Sequence, residues 1–177
     1  MSRLKIATTW LDGCSGCHMS FLDIDEKLLE LSDKIELVYS PLVDSKTIPE
    51  GIDLALIEGA VSSESDKHEL LKLRANSKIL ISFGDCAVTA NVPGMRNHFS
   101  VNETLARAYV ENSDSGQCLP SVSVPKLIEF ARPVHEYVLV DFFLPGCPPP
   151  SDVIFSTLCE LLEGKTPAPM TKTRFGA

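Results

Sequence analysis

The stretch DGCSGCH, residues 12–18, sets two cysteines three positions apart between a short apolar run and an amphipathic one. A thiol pair at that spacing serves as a redox dithiol, as half of a zinc site, or as part of an iron–sulfur site. Two more cysteines sit in glycine-marked segments of their own, Cys86 in SFGDCAVT and Cys147 in FFLPGCPPPSD. Gly13 and Gly16 let the backbone turn tightly and leave amides free to donate toward sulfur. Pro148, Pro149 and Pro150 stiffen the last segment and contribute no amide donor.

The elements that must position these residues alternate along the chain. Continuous apolar runs at LKIATT (4–9), IELVYS (35–40), DLALIEG (53–59), KILISFG (78–84) and EYVLVDFF (136–143) predict strands of a parallel sheet covered on both faces. Helical spacing predicts helices over 19–32, 64–75 and 151–163, and Pro125 in a first-turn position predicts another over 125–131. The stretch 85–124 reads as an irregular excursion with one helix near 102–111. Such alternation predicts an α/β fold: a flavodoxin-like, doubly wound parallel sheet in three α/β/α layers over residues 1–164. A proline-bearing tail, 165–177, is expected to contact a partner or to remain flexible. All four cysteines then lie in loops beyond the carboxyl ends of strands, the edge where open parallel sheets bind ligands. Cys118 falls in the weakly patterned loop, and Cys159 sits in the last helix as a small apolar residue.

The 177 residues are 44% hydrophobic and 23% charged, the composition of one globular domain. A net charge of −8 argues against nucleic acid as a partner. No run approaches the roughly 20 apolar residues of a membrane span, and the opening MSRLKIATTWLDG lacks the pattern of a secretory signal. These features predict a cytoplasmic protein without a membrane partner. In a reducing compartment six cysteines point to metal binding or redox chemistry rather than to structural disulfides.

Three meanings of the cysteines compete. A dithiol of the thioredoxin type explains Trp10 and Cys14–Cys17 but leaves Cys86 and Cys147 without a role. Zinc explains four thiolates, yet structural zinc sites usually pair two short knuckles, and here the third and fourth ligands are single and distant. A four-cysteine iron–sulfur cluster tolerates a pair plus two singles gathered from separate loops. From spacing alone all three remain open, and the same four cysteines in a stand-alone sensor or scaffold module are the runner-up function.

GCSGCHMSFLD, EGA at 58–60, SFGDCA at 82–87 with NVP at 91–93, and PGCPP at 145–149 together resemble the small subunit of nickel–iron hydrogenases, from about Leu4 to Gly164. The short small subunit of the NAD-reducing, bidirectional cytoplasmic type is the nearest resemblance. Complex I carries a related subunit whose motif begins with adjacent cysteines, which this chain lacks. The resemblance implies a flavodoxin-like fold holding one proximal [4Fe–4S] cluster on Cys14, Cys17, Cys86 and Cys147. It implies electron transfer between a Ni–Fe centre on a large subunit and diaphorase subunits that carry flavin (FMN), iron–sulfur clusters and the NAD site. The chain ends without the region in which longer small subunits hold two further clusters, consistent with the NAD-linked type.

Other residues carry weaker expectations. Glu58 ends a strand on the ligand side and is a candidate proton relay, with a loop or capping acid as the plain alternative. Asp85 is expected to cap the turn after it, His18 to reach a cluster sulfur or a partner, and Trp10 to pack near the site. FMN is a second candidate cofactor because flavodoxin-like sheets hold it at this edge, although no phosphate loop marks a site. The stretch also lacks G-x-G-x-x-G, so this chain is not expected to bind NAD itself.

Overall fold

A computed structural model describes residues 3–176. Five strands, β1 (Leu4–Trp10), β2 (Ile35–Tyr39), β3 (Ile52–Glu58), β5 (Ser77–Phe83) and β7 (Phe142–Leu144), form one sheet in the order β2-β1-β3-β5-β7. Every pairing in it is parallel. Counted along the chain, that order is the flavodoxin order, with its switch point between β1 and β3. A two-stranded antiparallel ribbon, β4 (Val61–Ser63) with β6 (Leu127–Arg132), stands beside it.

The central strands are aliphatic on both faces because helices cover both. On one side Ile6, Leu54, Leu56 and Ile81 pack against Phe21 of α1 (Gly16–Leu22), Leu31 of α2 (Lys27–Ser32) and Ile154 and Leu158 of α6 (Ser151–Leu162). On the other, Ala7, Ala55, Ile57 and Leu80 pack against Leu70 and Leu73 of α3 (Glu64–Asn76). Ser63 caps α3, its hydroxyl and the Asp66 carboxylate forming a reciprocal capping box. No helix among the described residues is long and apolar enough to cross a membrane.

Three expected elements differ. The helix expected over 19–32 divides at Asp25, whose φ of 58° is left-handed, a region aspartate tolerates better than most residues. The helix expected over 125–131 is strand β6. Its Ile128 and Glu129 carbonyls accept from the Arg96 guanidinium and the preceding Lys126 carbonyl accepts from Glu64 N, so no helical ladder forms. The strand expected over 136–143 shortens to Phe142–Leu144, because the Asp141 carboxylate takes the Leu80 N–H that a longer ladder would use. The helix near 102–111 is present as α5 (Val101–Ala106), continued by a π-helical turn over Arg107–Glu111. Residues 1, 2 and 177 of the expected domain and tail lie outside the described residues.

Candidate functional site

The loops after β1 and β3 are sealed to each other at the switch point. Leu11 N donates to Glu58 O at 2.8 Å, and Asp12 and Ala60 exchange backbone bonds of 2.7 and 3.0 Å. Gly59 makes this possible: its φ is +87°, and a Cβ there would lie 2.8 Å from the Asp12 carbonyl oxygen. The pair Cys14–Cys17 follows directly and leads into α1. Ser15, left-handed at φ 63°, precedes that helix without giving it a side-chain cap. The cap comes from across the sheet instead. Glu58 Oε1 accepts from Cys17 N at 3.2 Å and Oε2 from His18 N at 2.9 Å, placing a negative charge at the helix N-terminus.

Glu58 and His18 are each 2% exposed and pair through His18 Nδ1. The other ring nitrogen meets Thr8 Oγ1 at 2.9 Å, and Thr8 in turn donates to Ser40 Oγ at 2.8 Å. His18, expected at a sulfur or a partner, therefore points into the fold. Trp10 is half-exposed and sets its ring edge-on to His18, with centroids 5.3 Å apart.

The second and third cysteine loops are tied with equal care. Gly84, left-handed at φ +83°, ends β5; its N–H donates to Leu144 O at 2.8 Å, and Asp85 N donates to Gly146 O at 2.9 Å. Cys86 follows in the short helix α4 (Asp85–Thr89). Asp85 does not cap α4 as expected. Its buried carboxylate accepts from Gly146 N at 2.7 Å on Oδ1 and from Gly176 N at 2.7 Å on Oδ2. One acid thus ties the Cys86 loop, the Cys147 loop and the C-terminal tail, which also donates from Thr173 Oγ1 to Pro145 O at 3.0 Å. Ser20 Oγ donates to Pro149 O at 2.6 Å, holding α1 to the Cys147 loop. The Cys147–Pro148 peptide is cis.

Four thiols converge between these loops. A Cβ on Gly84 would lie 2.1 Å from Cys17 Sγ, and one on Gly16 would lie 3.2 Å from Cys14 Sγ. Burial pushes the Cys17 thiol well up; the Glu58 carboxylate and the neighbouring Cys86, Cys14 and Cys147 push it the same way. Burial also raises Cys86, against a lowering hydrogen bond from Val92 N. A thiol gives up its proton when it binds metal. All four are unbonded, Cys14 and Cys147 exposed, Cys86 half-buried and Cys17 buried. Among the described residues no three His, Cys, Asp or Glu side chains close around a single metal ion. Tetrahedral zinc would need sulfurs about 3.8 Å apart, given zinc–sulfur bonds near 2.3 Å. A donor set of four soft sulfurs from three separate loops fits an iron–sulfur cluster.

Cys118 is exposed in its loop and Cys159 packs beside the α6 core, so neither joins the group. Sequence reasoning missed Thr8 and Ser40 as supports of the site and mistook the partner of Asp85. The partners lie 10 to 91 residues away along the chain, so no local pattern announces them.

Fold and site define a class: a flavodoxin-type α/β domain with four cysteines in the loops at the switch-point edge of its sheet. Residues 14–161 match the family described as NADH ubiquinone oxidoreductase, 20 Kd subunit. The chain is 44% identical over 168 residues to the NAD-reducing hydrogenase HoxS subunit delta of Cupriavidus necator, covering 92% of this chain and 80% of that subunit. It is 40% identical over 171 residues to a subunit of the F420-non-reducing hydrogenase vhu of Methanocaldococcus jannaschii, covering 96% of this chain but only 59% of that relative's length. A crystal structure of NAD+-reducing [NiFe]-hydrogenase in the H2-reduced state contains a chain that superposes with a TM-score of 0.93 at 39% identity, covering 98% of this chain and 99% of that one. The chain belongs to the NADH ubiquinone oxidoreductase 20 Kd subunit family, and these relatives within it are hydrogenase subunits.

Proposed function

We propose that this chain is the electron-transfer small subunit of an NAD-reducing [NiFe] hydrogenase, with Cys14, Cys17, Cys86 and Cys147 holding one proximal [4Fe–4S] cluster. The observation that carries this is the meeting of those four thiols, from three separate loops, at one edge of the sheet. Likeness to the HoxS delta subunit and to the NAD+-reducing enzyme supports the NAD-linked type. When bound, a cluster of this kind takes up and releases one electron at a time.

The chain's own residues supply the setting. Gly84 leaves space for the Cys17 sulfur, Glu58 fixes the start of α1, and Asp85 holds the Cys86 and Cys147 loops in register. Burial of Cys17 excludes water on the inner side, while exposed Cys14 and Cys147 open toward the surface where partners would dock. The partners are a large subunit with the Ni–Fe centre, and diaphorase subunits with flavin (FMN), further clusters and the NAD site. The enzyme would work in the cytoplasm. Proton relay by Glu58 draws little support from its hydrogen-bonded chain, which ends at Ser40, itself 1% exposed. Acceptance from two helix amides favours a positioning role for Glu58.

Hydrogen-dependent NAD reduction by the complex, purified anaerobically with partners retained, tests this reading. Replacement of Cys86 or Cys147 by Ser should abolish that reaction as fully as replacement of Cys14. Retained activity in Cys147→Ser, with loss in Cys14→Ser, would point to a dithiol instead.

A further inference from the structure

Helix α4, which carries Cys86, ends at Ala90 in a left-handed conformation (φ 64°), rare for a residue with a side chain. Beyond that kink the next residue meets sulfur. Asn91 Nδ2 donates to Cys147 Sγ at 3.8 Å.

The segment is fixed from downstream. Gly94 N returns to Ala90 O at 2.7 Å and opens a 3-10 turn over Pro93–His98. Arg96 donates to Ile128 O at 2.8 Å and to Ser62 O and Glu129 O at 3.1 Å each. Asn97 exchanges two bonds of 2.8 Å with the backbone of Ala131. The Arg96 and Asn97 side chains thus clamp the turn onto the β4–β6 ribbon, and residues 91–92 are held between that clamp and the Ala90 kink. Ribbon β4–β6, which has no strand in the main sheet, gains a purpose as the anchor of this segment.

We infer that the Asn91 side-chain amide is a donor that sets the reduction potential of the centre held by the four cysteines. The inference rests on the cluster assignment above. An N–H directed at a ligating sulfur stabilises the more negative, reduced state and raises the potential. Asn91 is a tuning residue here, since it binds no metal itself and its backbone N–H already has Thr89 Oγ1 at 3.4 Å.

The test is an EPR-monitored redox titration of the intact complex, with iron and acid-labile sulfide counted on the same samples. Asn91→Leu keeps the bulk and removes the donor; Asn91→Asp replaces the donor with a negative charge. The midpoint should fall in the order wild type, Asn91→Leu, Asn91→Asp at unchanged iron content. Equal midpoints in fully loaded variants would overturn the role of Asn91. Should the variants fail to load, pulsed EPR on reduced wild-type complex carrying side-chain 15N-asparagine decides instead: a coupled 15N signal is expected, and none would overturn the inference. Wild-type complex without iron and sulfide would bring down the cluster assignment itself, a result distinct from either.

Discussion

Between Gly84 and Cys17 no side chain fits: a Cβ on Gly84 would stand 2.1 Å from the Cys17 sulfur, and the backbone there is left-handed at φ +83°. Gly84→Ala must therefore bear about 1–3 kcal/mol of backbone strain and also displace the Cys17 sulfur. The variant should fold with a lowered Tm and lose most of its iron, read by iron analysis beside thermal unfolding.

Glu58 is a buried acid with two backbone donors and an imidazole on it. Glu58→Ala strands all three, an expected loss of about 3 kcal/mol or more. Glu58→Gln keeps one acceptor oxygen and should lose less. Denaturant midpoints of the two variants give the comparison; equal losses would mean that shape rather than acceptance matters at this site.

Asp85 reaches the tail as well as the Cys147 loop. Asp85→Ala should cost about 1–3 kcal/mol for two unpaired amides. It should also speed tryptic cleavage after Lys172 and Arg174, with the wild-type tail cleaved more slowly. A tail equally protected in both would show that Thr173 and Lys172 hold it unaided.

Tyr39 donates to Glu69 Oε1 at 3.0 Å, and burial, with the Glu69 charge next, pushes its phenol up to about 12. Below the unfolded value of about 10 the phenol is neutral in both states and its contribution is complete. Between about pH 10 and 12 the unfolded chain gives up its proton first, so stability falls as pH rises. The difference between wild type and Tyr39→Phe in urea midpoints should therefore shrink across that window and be constant below it.

Much of the architecture was legible because the central strands are long apolar runs with no competing pattern: β1, β3 and β5 fall within one residue of their expected bounds. The loop positions of the four cysteines were legible for a related reason, since each follows a strand expected from an apolar run, although the last of these shortens to Phe142–Leu144. What escaped was decided by distant side chains. Leu127–Arg132 follows Pro125, which reads as a helix opener, yet pairing with β4 and the Arg96 clamp make it a strand. Asp141 looks like one more residue of a strand until its carboxylate is seen on Leu80 N. Likewise His18 and Asp85 sit beside Cys17 and Cys86 in sequence, but their partners are Glu58, Thr8, Gly146 and Gly176, fixed only by the closed sheet.

The most direct test is the content of iron, acid-labile sulfide and zinc per chain in anaerobically purified complex, followed by EPR after reduction. About four iron and four sulfide with no zinc, and a reduced-cluster signal lost in Cys86→Ser and Cys147→Ser, is the predicted result. One zinc and no sulfide would contradict it, leaving the four loops to meet on a structural ion and the electron-transfer role without its carrier.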